Sequence, residues 1–229
     1  MNYKIKSISY KGNCEKNEDA SFYIHSDKFI KAAVCDGVGS YANALQAAKY
    51  ASEYICQTHS EHSLSALISE CHFQITNNPH LGFTTVAVVK QKHNSSCFEC
   101  INCGDTRIYV IGKGYLTQLS IDHTNQKRLE KVYSKYYEDY IDLARYFSVL
   151  EAALGHILEI HSVEYTLSET ELLILATDGA WEPLEKSFIQ ASQFHTPQAR
   201  GEFLEFQLNF LNQSNSLDDN ATLLMIWKE

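Results

Sequence analysis

The chain has 229 residues, of which 45% are hydrophobic and 21% are charged, a profile typical of a folded protein and not of a disordered segment. Its 19 Lys and Arg stand against 28 Asp and Glu, so the formal net charge is -9, and no long basic run occurs, which argues against a general nucleic-acid binder. No apolar run approaches the ~20 residues that span a bilayer, so the sequence predicts no membrane partner.

Two features predict the cellular compartment. The first residues alternate polar and apolar side chains without the apolar core of a signal peptide. The 7 cysteines are an odd number, which does not suit a framework of disulfides. Together these features predict a cytoplasmic protein whose cysteines are free thiols in a reducing compartment.

The first half of the chain is predicted to contain strands, two helices and further strands. A helical spacing of apolar residues runs from Ser40, the expected N-cap, to about Gln57, and a second helix covers 64–76. The alternating or apolar runs that predict strands are 3–10, 20–25, 29–35, 83–90, 97–102 and 107–111.

The second half is predicted to close with strands, two helices and a last strand. Strand patterns occupy 157–166, 171–177 and 221–227, and Thr196-Pro197 opens a helix that ends near Asn212. This order is not a regular βαβ alternation. It predicts an α+β fold, in one domain covering 1–229, in which helices cover antiparallel sheets.

Acidic residues stand at the ends of several predicted strands. Asp36 follows an apolar run and precedes Gly37, and Asp178 lies in the same context before Gly179. The other acids in such positions are Glu18, Asp19, Asp105 and Asp219. A carboxylate at the end of a buried strand loses hydration unless a positive charge is near, and few Lys or Arg lie beside these acids. A metal ion is therefore the expected counter-charge.

The donor atoms indicate which metal this would be. Carboxylates, a backbone carbonyl and water suit Mg²⁺ or Mn²⁺ better than zinc. A glycine after each Asp would let its backbone come close enough to offer its carbonyl. Any single Asp-Gly pair is better explained as a turn, but the repeated strand-end context favours a metal site.

Short blocks around these acids follow one another along the chain. They are 17–20 (NEDA), 36–39 (DGVG), 82–85 (GFTT), 102–107 (NCGDTR), 176–182 (ATDGAWE) and 218–222 (DDNAT), with weaker blocks at 119–124 and 152–155. In order and spacing, from about residue 5 to 227, they resemble the signature blocks of the metal-dependent protein serine/threonine phosphatases (the PPM, or type 2C, family) in its bacterial single-domain form. The resemblance implies a four-layer sandwich of two antiparallel β-sheets flanked by helix pairs.

The resemblance also implies a reaction and its cofactors. A centre of two Mn²⁺ or Mg²⁺ ions, with a third ion held more weakly, would activate a water that hydrolyses phosphoserine and phosphothreonine. The partners implied are phosphorylated Ser/Thr proteins, such as the targets of a partner kinase, in a signalling pathway. We expect the protein to act as a monomer.

Roles for individual residues follow from the resemblance and not from spacing alone. Asp36 would bridge two ions, and the carbonyl of Gly37 would bind one of them. Asp178 and Asp219 would complete the first ion. The remaining metal-site residues are Glu18 (through water), Asp19 (supporting ligand or water-orienting acid) and Asp105 (third ion). The expected catalytic residues are Asp19, Asp36 and Asp178.

The sequence departs from the family pattern at three places. Cys14 stands where the family usually has the Arg that grips phosphate in a bidentate manner, and Lys11 and Lys16 are the nearby cations. The run Gly39-Ser40-Tyr41 lacks a His that many bacterial members have. The flap-like segment at about 125–148 is short and carries Tyr133, Tyr136, Tyr137, Tyr140 and Tyr146.

Two further interpretations follow from these patterns. Cys97, Cys100 and Cys103 are spaced like a metal motif, but on a strand a spacing of three alternates the faces, which predicts free thiols. The alternative function is a pseudophosphatase that lost the phosphate-gripping Arg and acts as a metal-binding or partner-binding regulatory module. The retained acids favour the active enzyme, because a binding module gains nothing from carboxylates that repel one another.

Overall fold

The computed structural model describes residues 2–26, 29–58, 63–92, 95–125 and 149–229. Nearly all of the predicted flap-like segment at 125–148, including its five tyrosines, lies outside these residues. In the described part of the chain, no helix has both the length and the hydropathy required to cross a bilayer.

The described residues form ten strands and four helices. The strands are β1 Tyr3–Tyr10, β2 Asp19–His25, β3 Ile30–Asp36, β4 Val86–Gln91, β5 Cys97–Cys103, β6 Arg107–Gly112, β7 Tyr115–Gln118, β8 His161–Thr166, β9 Leu172–Ala176 and β10 Ala221–Lys228. The helices are α1 Ala44–Gln57, α2 Leu64–Thr76, α3 Asp178–Ala191 and α4 Pro197–Gln213.

The strands pair into two antiparallel five-stranded sheets. One sheet has the order β1-β10-β9-β6-β7 and the other has the order β2-β3-β4-β5-β8. Helices α1 and α2 pack on the second sheet, and α3 and α4 pack on the first. The α+β, four-layer arrangement predicted above is therefore confirmed.

Side-chain alternation along the strands builds three apolar layers. In β3, Ala33 and Cys35 pack towards α1 and α2, whereas Ala32 and Val34 face the opposite sheet. In β9, Leu173 belongs to the layer between the sheets. Alternate side chains of a strand therefore pack into different layers. The same alternation decides to which side of the sheet the last residues of each strand point at the end of the sandwich.

The first helix begins later than its spacing indicates. Ser40 is not the N-cap, because residues 37–43 form a turn in which the Tyr41 N–H donates to the Val38 carbonyl at 2.9 Å. The N-cap is Asn43, whose backbone is left-handed at φ 64°. Asn43 tolerates this conformation better than most residues, and its carbonyl accepts the Gly82 N–H at 3.1 Å.

The strands differ from the predictions at two places, and in both cases the cause is the neighbouring strand with which they pair. Residues 157–160 are not a strand, because β8 pairs with β5 only from His161, opposite Asn102, and β5 ends at Cys103. Strand β7 was not predicted and forms by pairing with β6. Neither difference is visible in a local pattern of side chains.

The three cysteines of β5 are free thiols that do not converge. Cys100 faces the other sheet, and Cys103 faces the layer beneath α1 and α2. Alternation of the strand therefore separates them, as the spacing predicts.

Candidate metal centre

Residues at the ends of strands from both sheets line one cavity of about 560 Å³. The register of the second sheet pairs Asp19, the first residue of β2, directly with Asp36, the last residue of β3. Asp178 follows β9 by two residues, and Asp219 precedes β10 by two. Of the predicted site residues, the cavity is lined by Glu18, Asp36, Gly37, Asp105, Asp178 and Asp219. Asp19 is buried beside Asp36 and is not part of the lining.

A threonine joins the two sheets beneath this cavity. The Thr177 hydroxyl donates to Asp19 Oδ2 at 2.9 Å and accepts the Thr222 N–H at 2.9 Å. Thr177, which follows β9, thereby connects the buried Asp19 of β2 to β10 in the opposite sheet. Its place directly before Asp178 was the only sequence signal for this role.

Asn220 holds the loop between β1 and β2 against the cavity. Its side-chain amide donates to the carbonyls of Lys11 and Lys16, both at 2.8 Å, and its Oδ1 accepts the Glu18 N–H at 2.6 Å. These three bonds position Glu18 and the residues before it. Asn220 is 6% exposed, so the bonds are shielded from competing water.

Gly37 is required by the close approach of two backbones. A Cβ on this residue would lie 2.7 Å from the carbonyl carbon of Ala44 and 2.9 Å from the carbonyl oxygen of Glu18. The preceding carbonyl, that of Asp36, accepts the Thr84 hydroxyl at 2.7 Å and the Thr85 N–H at 2.8 Å. The Asp36–Gly37 backbone is therefore fixed from both sides.

The acids share a strongly negative environment. Burial raises the pKa of Asp36 well above its ordinary value, and the charges of Asp19, Asp178 and Asp105 raise it further. Burial raises the pKa of Asp19 to about 7 and that of Asp105 to about 7, with Asp178 contributing to both. For Asp178, burial and then the charge of Asp219 raise the pKa. Full ionisation of the group therefore requires a positive charge from elsewhere.

The donors fit a hard divalent cation, although they are not gathered around one point. Among the described residues, no three Asp, Glu, His or Cys side chains form a ready metal-binding group. The fit rests on the oxygen-rich lining and on Asp19, whose Oδ1 is buried without a hydrogen-bond partner. A buried carboxylate oxygen without a hydrogen bond has lost its hydration, and a nearby cation would offset that loss.

The turn that carries Asp105 is held by residues outside the cavity. The Gly104 N–H donates to His123 Nδ1 at 3.0 Å, and Trp181 Nε1 donates to the Asp105 carbonyl at 3.1 Å. Arg107 lies 3.3 Å from the centroid of the Trp181 ring. No local pattern of residues predicts that His123 and Trp181 position this acid.

Arg107 is committed to a structural ion pair. Its Nη2 lies 2.6 Å from Asp122 Oδ2, and its Nε donates to both oxygens of the same carboxylate, at 2.9 and 3.1 Å. Since Asp122 satisfies the fork of this guanidinium, Arg107 does not replace the missing phosphate-gripping Arg.

Two of the three departures from the family pattern, Cys14 and the run that contains Tyr41, lie within the described residues. Cys14 lines the cavity, and its thiol donates to Asp219 Oδ1 at 3.4 Å. Lys16 also lines the cavity, whereas the ammonium of Lys11 is bonded to the Cys14 carbonyl. Tyr41 lies outside the lining and packs on the Phe83 ring at 4.4 Å between centroids.

Comparison with known proteins gives one family and a set of similar folds. A family model described as Protein phosphatase 2C matches residues 6–132. No curated protein sequence matches the chain. The serine/threonine phosphatase Stp1 from Staphylococcus aureus is similar in structure, with a TM-score of 0.80 and 18% identity over 100% of this chain and 96% of that one.

Two other solved structures are similar over nearly the full length of both chains. The serine/threonine phosphatase PstP/Ppp from Mycobacterium tuberculosis has a TM-score of 0.75 and 18% identity, and 100% of each chain is covered. RsbX, solved in complex with magnesium, has a TM-score of 0.69 and 14% identity over 98% of this chain and 94% of that one. At these identities the structures show that the fold is shared.

Proposed function

Because the chain belongs to the protein phosphatase 2C family, whose members are metal-dependent phosphoprotein phosphatases, we propose that it hydrolyses phosphoserine and phosphothreonine in proteins at a centre of two Mn²⁺ or Mg²⁺ ions. A third ion, held more weakly, would lie beside Asp105. The convergence of six acids from both sheets on one end of the sandwich carries this proposal.

The proposal assigns a separate task to each part of the cavity. Asp36 would contribute to the sites of both ions, and the Gly37 carbonyl would bind one of them. Asp178 and Asp219 would complete the first ion, and Glu18 would act on the second, largely through water. Two such ions, when bound, lower the pKa of a shared water and neutralise phosphoryl oxygens. Asp19, which Thr177 holds opposite Asp36, would act as a supporting ligand or as an acid that orients the water.

Among the described residues that line the cavity, Lys16 is the one with a cationic side chain. In the proposed complex it offers a point charge to the substrate phosphate, without the two parallel bonds that a guanidinium makes. The site spans the chain from Glu18 to Asp219, which supports the proposal that 1–229 works as one catalytic domain. We propose phosphorylated Ser/Thr proteins as partners, a cytoplasmic location and a monomeric state.

A second candidate function is a pseudophosphatase that binds metal and a partner without turnover. The observation that favours it is Cys14, which lines the cavity where the family usually has Arg. The active enzyme remains the better supported reading, because every acid that the resemblance assigns to the metals is present around the cavity.

Hydrolysis of a phosphothreonine peptide by the purified chain tests the proposal. We expect release of phosphate with Mn²⁺ or Mg²⁺ and none with EDTA. Metal binding without turnover, measured by titration calorimetry, would support the pseudophosphatase instead. Absence of both binding and turnover would show that the strand-end acids are only turn residues.

Replacing Cys14 by Arg is expected to lower the KM for the phosphopeptide about tenfold with little change in kcat. A charge-assisted hydrogen bond contributes roughly 1.5–3 kcal/mol, and a guanidinium at this position can form two of them with a phosphate. Steady-state kinetics at saturating Mn²⁺ measures the change.

The matched control for this substitution is Asn13→Arg. Asn13 is exposed and does not line the cavity, so the variant adds the same charge one residue away. An equal fall in KM in both variants would show that the added positive charge attracts the phosphopeptide in general, without a specific contact at position 14. An unchanged KM in a folded Cys14→Arg protein would show that this position does not contact the phosphate.

A further inference from the structure

The solvent-facing side of α4 carries a row of phenylalanines, and we propose that this row docks an amphipathic helix of a partner protein that has Lys or Arg beside its apolar residues. The phenylalanine row consists of Phe203, Phe206 and Phe210, with Phe194 at one end. These side chains lie outside the lining of the metal cavity. The inference therefore does not rest on the proposed function.

The phenylalanine row leaves a large apolar surface in contact with solvent. Phe206 is 63% exposed, Phe210 is 57% exposed and Phe194 is 39% exposed. Phe203 is half-buried against the core of the first sheet, and its ring centroid lies 5.2 Å from that of Phe194. A fully covered aromatic side chain buries ~150–250 Å², so these exposed fractions amount to about 300 Å². A continuous apolar patch of this size on a single chain often marks an interaction site.

The spacing of the phenylalanine row indicates that its occupant is a helix. Ala199, Phe203, Phe206 and Phe210 follow one another at intervals of four, three and four residues. Apolar side chains at alternating intervals of three and four residues form the seam between two packed helices. The buried residues of α4 are a separate set, which is Pro197, Arg200, Gly201, Leu204 and Leu208. A helix whose only partner is its own core needs that set alone.

The charges around the phenylalanine row favour a basic partner. The exposed acidic residues of α3 and α4 are Glu182, Glu185 and Glu202, against one exposed cation, Lys186. Glu202 lies four residues before Phe206 and has no ion pair among the described residues. Its carboxylate accepts the side-chain amide of Gln198 at 2.8 Å. Charges that flank a helix seam set the choice of partner, so Lys or Arg on the incoming helix would complement Glu202.

The same observations argue against a second copy of this chain as the occupant. Two copies that packed through the phenylalanine row would bring two acidic helix layers together, and each chain has a formal net charge of -9. The exposed apolar area of about 300 Å² is also well below the ≈ 800 Å² that each partner buries in a stable interface. A small area of this kind suits a partner that binds transiently.

Phe73 on α2 is the matched control for the phenylalanine row. It is 63% exposed, the same fraction as Phe206, but it belongs to the helix pair on the other sheet. The residues three and four positions away from it are Ser69, Glu70, Thr76 and Asn77. Phe73 is therefore a single exposed ring with no apolar neighbours along its helix.

The test measures binding of a synthetic helix to the full chain by fluorescence anisotropy. The probe is a labelled peptide of about three heptads with Leu at positions a and d and Lys at e and g. We expect saturable binding by the wild type, and binding at least about tenfold weaker in the double variant Phe206→Ala with Phe210→Ala. In Phe73→Ala the affinity should change less than about twofold. Melting temperatures check folding, and Phe206→Gln with Phe210→Gln provides a second double variant.

A charge exchange tests the choice of a basic partner. Glu202→Lys should weaken binding of the Lys peptide about two- to fivefold, as expected for the loss of an exposed ion pair. The same variant should bind a peptide with Glu in place of Lys more tightly than the wild type does. Unchanged affinities of Glu202→Lys for both peptides would contradict the charge complementarity.

Three outcomes would overturn the proposal: no saturable binding of the Lys peptide, equal affinity in the wild type and both folded double variants, or equal binding of a peptide with the same residues in scrambled order. Sedimentation of the wild type alone tests the other occupant. A dimer that both double variants dissociate would assign the phenylalanine row to a second copy of this chain instead of a partner helix.

Discussion

Replacing Asp178 by Asn is expected to reduce Mn²⁺-dependent hydrolysis of a phosphothreonine peptide by at least about a hundredfold, because the chemistry depends on charge held at the metals. Asp178 lines the cavity and opens α3, and its carboxylate adds to the negative field that raises the pKa of Asp36. The amide has nearly the same shape as the carboxylate but carries no charge. It can still accept the Gly179 N–H that Asp178 Oδ1 accepts at 2.7 Å.

Stability should not fall together with activity in this variant. The negative charges near Asp178 disfavour its ionised form in the metal-free protein, so the neutral amide should leave the melting temperature unchanged or raise it. The matched control is Asp218→Asn, since Asp218 is exposed and does not line the cavity. Full activity in folded Asp178→Asn would remove this residue from the proposed centre.

The metal-free protein is expected to melt at a temperature at least about 4 °C lower at pH 8 than at pH 5, which for a chain of this size corresponds to about 1–2 kcal/mol. Asp19 and Asp105 each have a pKa raised from 3.8 to about 7, first by burial and then by neighbouring charge. Calorimetry or circular dichroism in a chelating buffer, across this pH range, measures the difference.

Stability falls with rising pH because the folded protein keeps protons on Asp19 and Asp105 that the unfolded chain has lost. Below pH 3.8 these carboxyls are protonated in both states and contribute no penalty. Between about 4 and 7 the unfolded chain has lost the protons that the folded protein keeps, so stability falls as pH rises, and above 7 the loss is complete. His72 and His123 act in the opposite direction, since burial lowers the pKa of each.

A variant and a metal ion separate these contributions. Asp105→Asn removes one of the raised groups and should reduce the fall in melting temperature between pH 5 and pH 8, whereas Asp218→Asn should not. Mn²⁺ at a fixed concentration of about 100 times its Kd at pH 8 should add about 2.7 kcal/mol at that pH, and less at pH 5, because protons compete for the carboxylates. The same melting temperature at both pH values, or no response to Mn²⁺, would contradict the acid cluster as described.

Local patterns were sufficient to predict most of the framework. The strands with both faces buried, such as β3 and β9, are mostly apolar runs in the sequence, and each of them leads into an Asp-Gly pair. Thr196-Pro197 marked the start of α4, where the Thr196 hydroxyl accepts the Ala199 N–H at 3.2 Å. These features depend on neighbours within a few residues, which is why periodicity and capping chemistry predict them.

Boundaries set by distant partners were not predicted in this way. The helix expected from Ser40 begins at Ala44, because the preceding residues form the turn that brings Gly37 against Glu18. Strand β7 exists because β6 supplies its partner. The flap-like segment expected at about 125–148 stays a prediction, because 126–148 lie outside the described residues.

The sequence by itself determined which acids end strands, the α+β class and the family to which the chain belongs. Only the tertiary structure decided which side chains meet: Asp19 opposite Asp36, Thr177 on Asp19, Asn220 across the loop of Lys11 and Lys16, and Cys14 beside Asp219, 205 residues away. The reason is that strand register and the packing of one sheet on the other depend on contacts summed over the whole sandwich. A hydrogen bond between residues far apart in sequence leaves no trace in the spacing of either one.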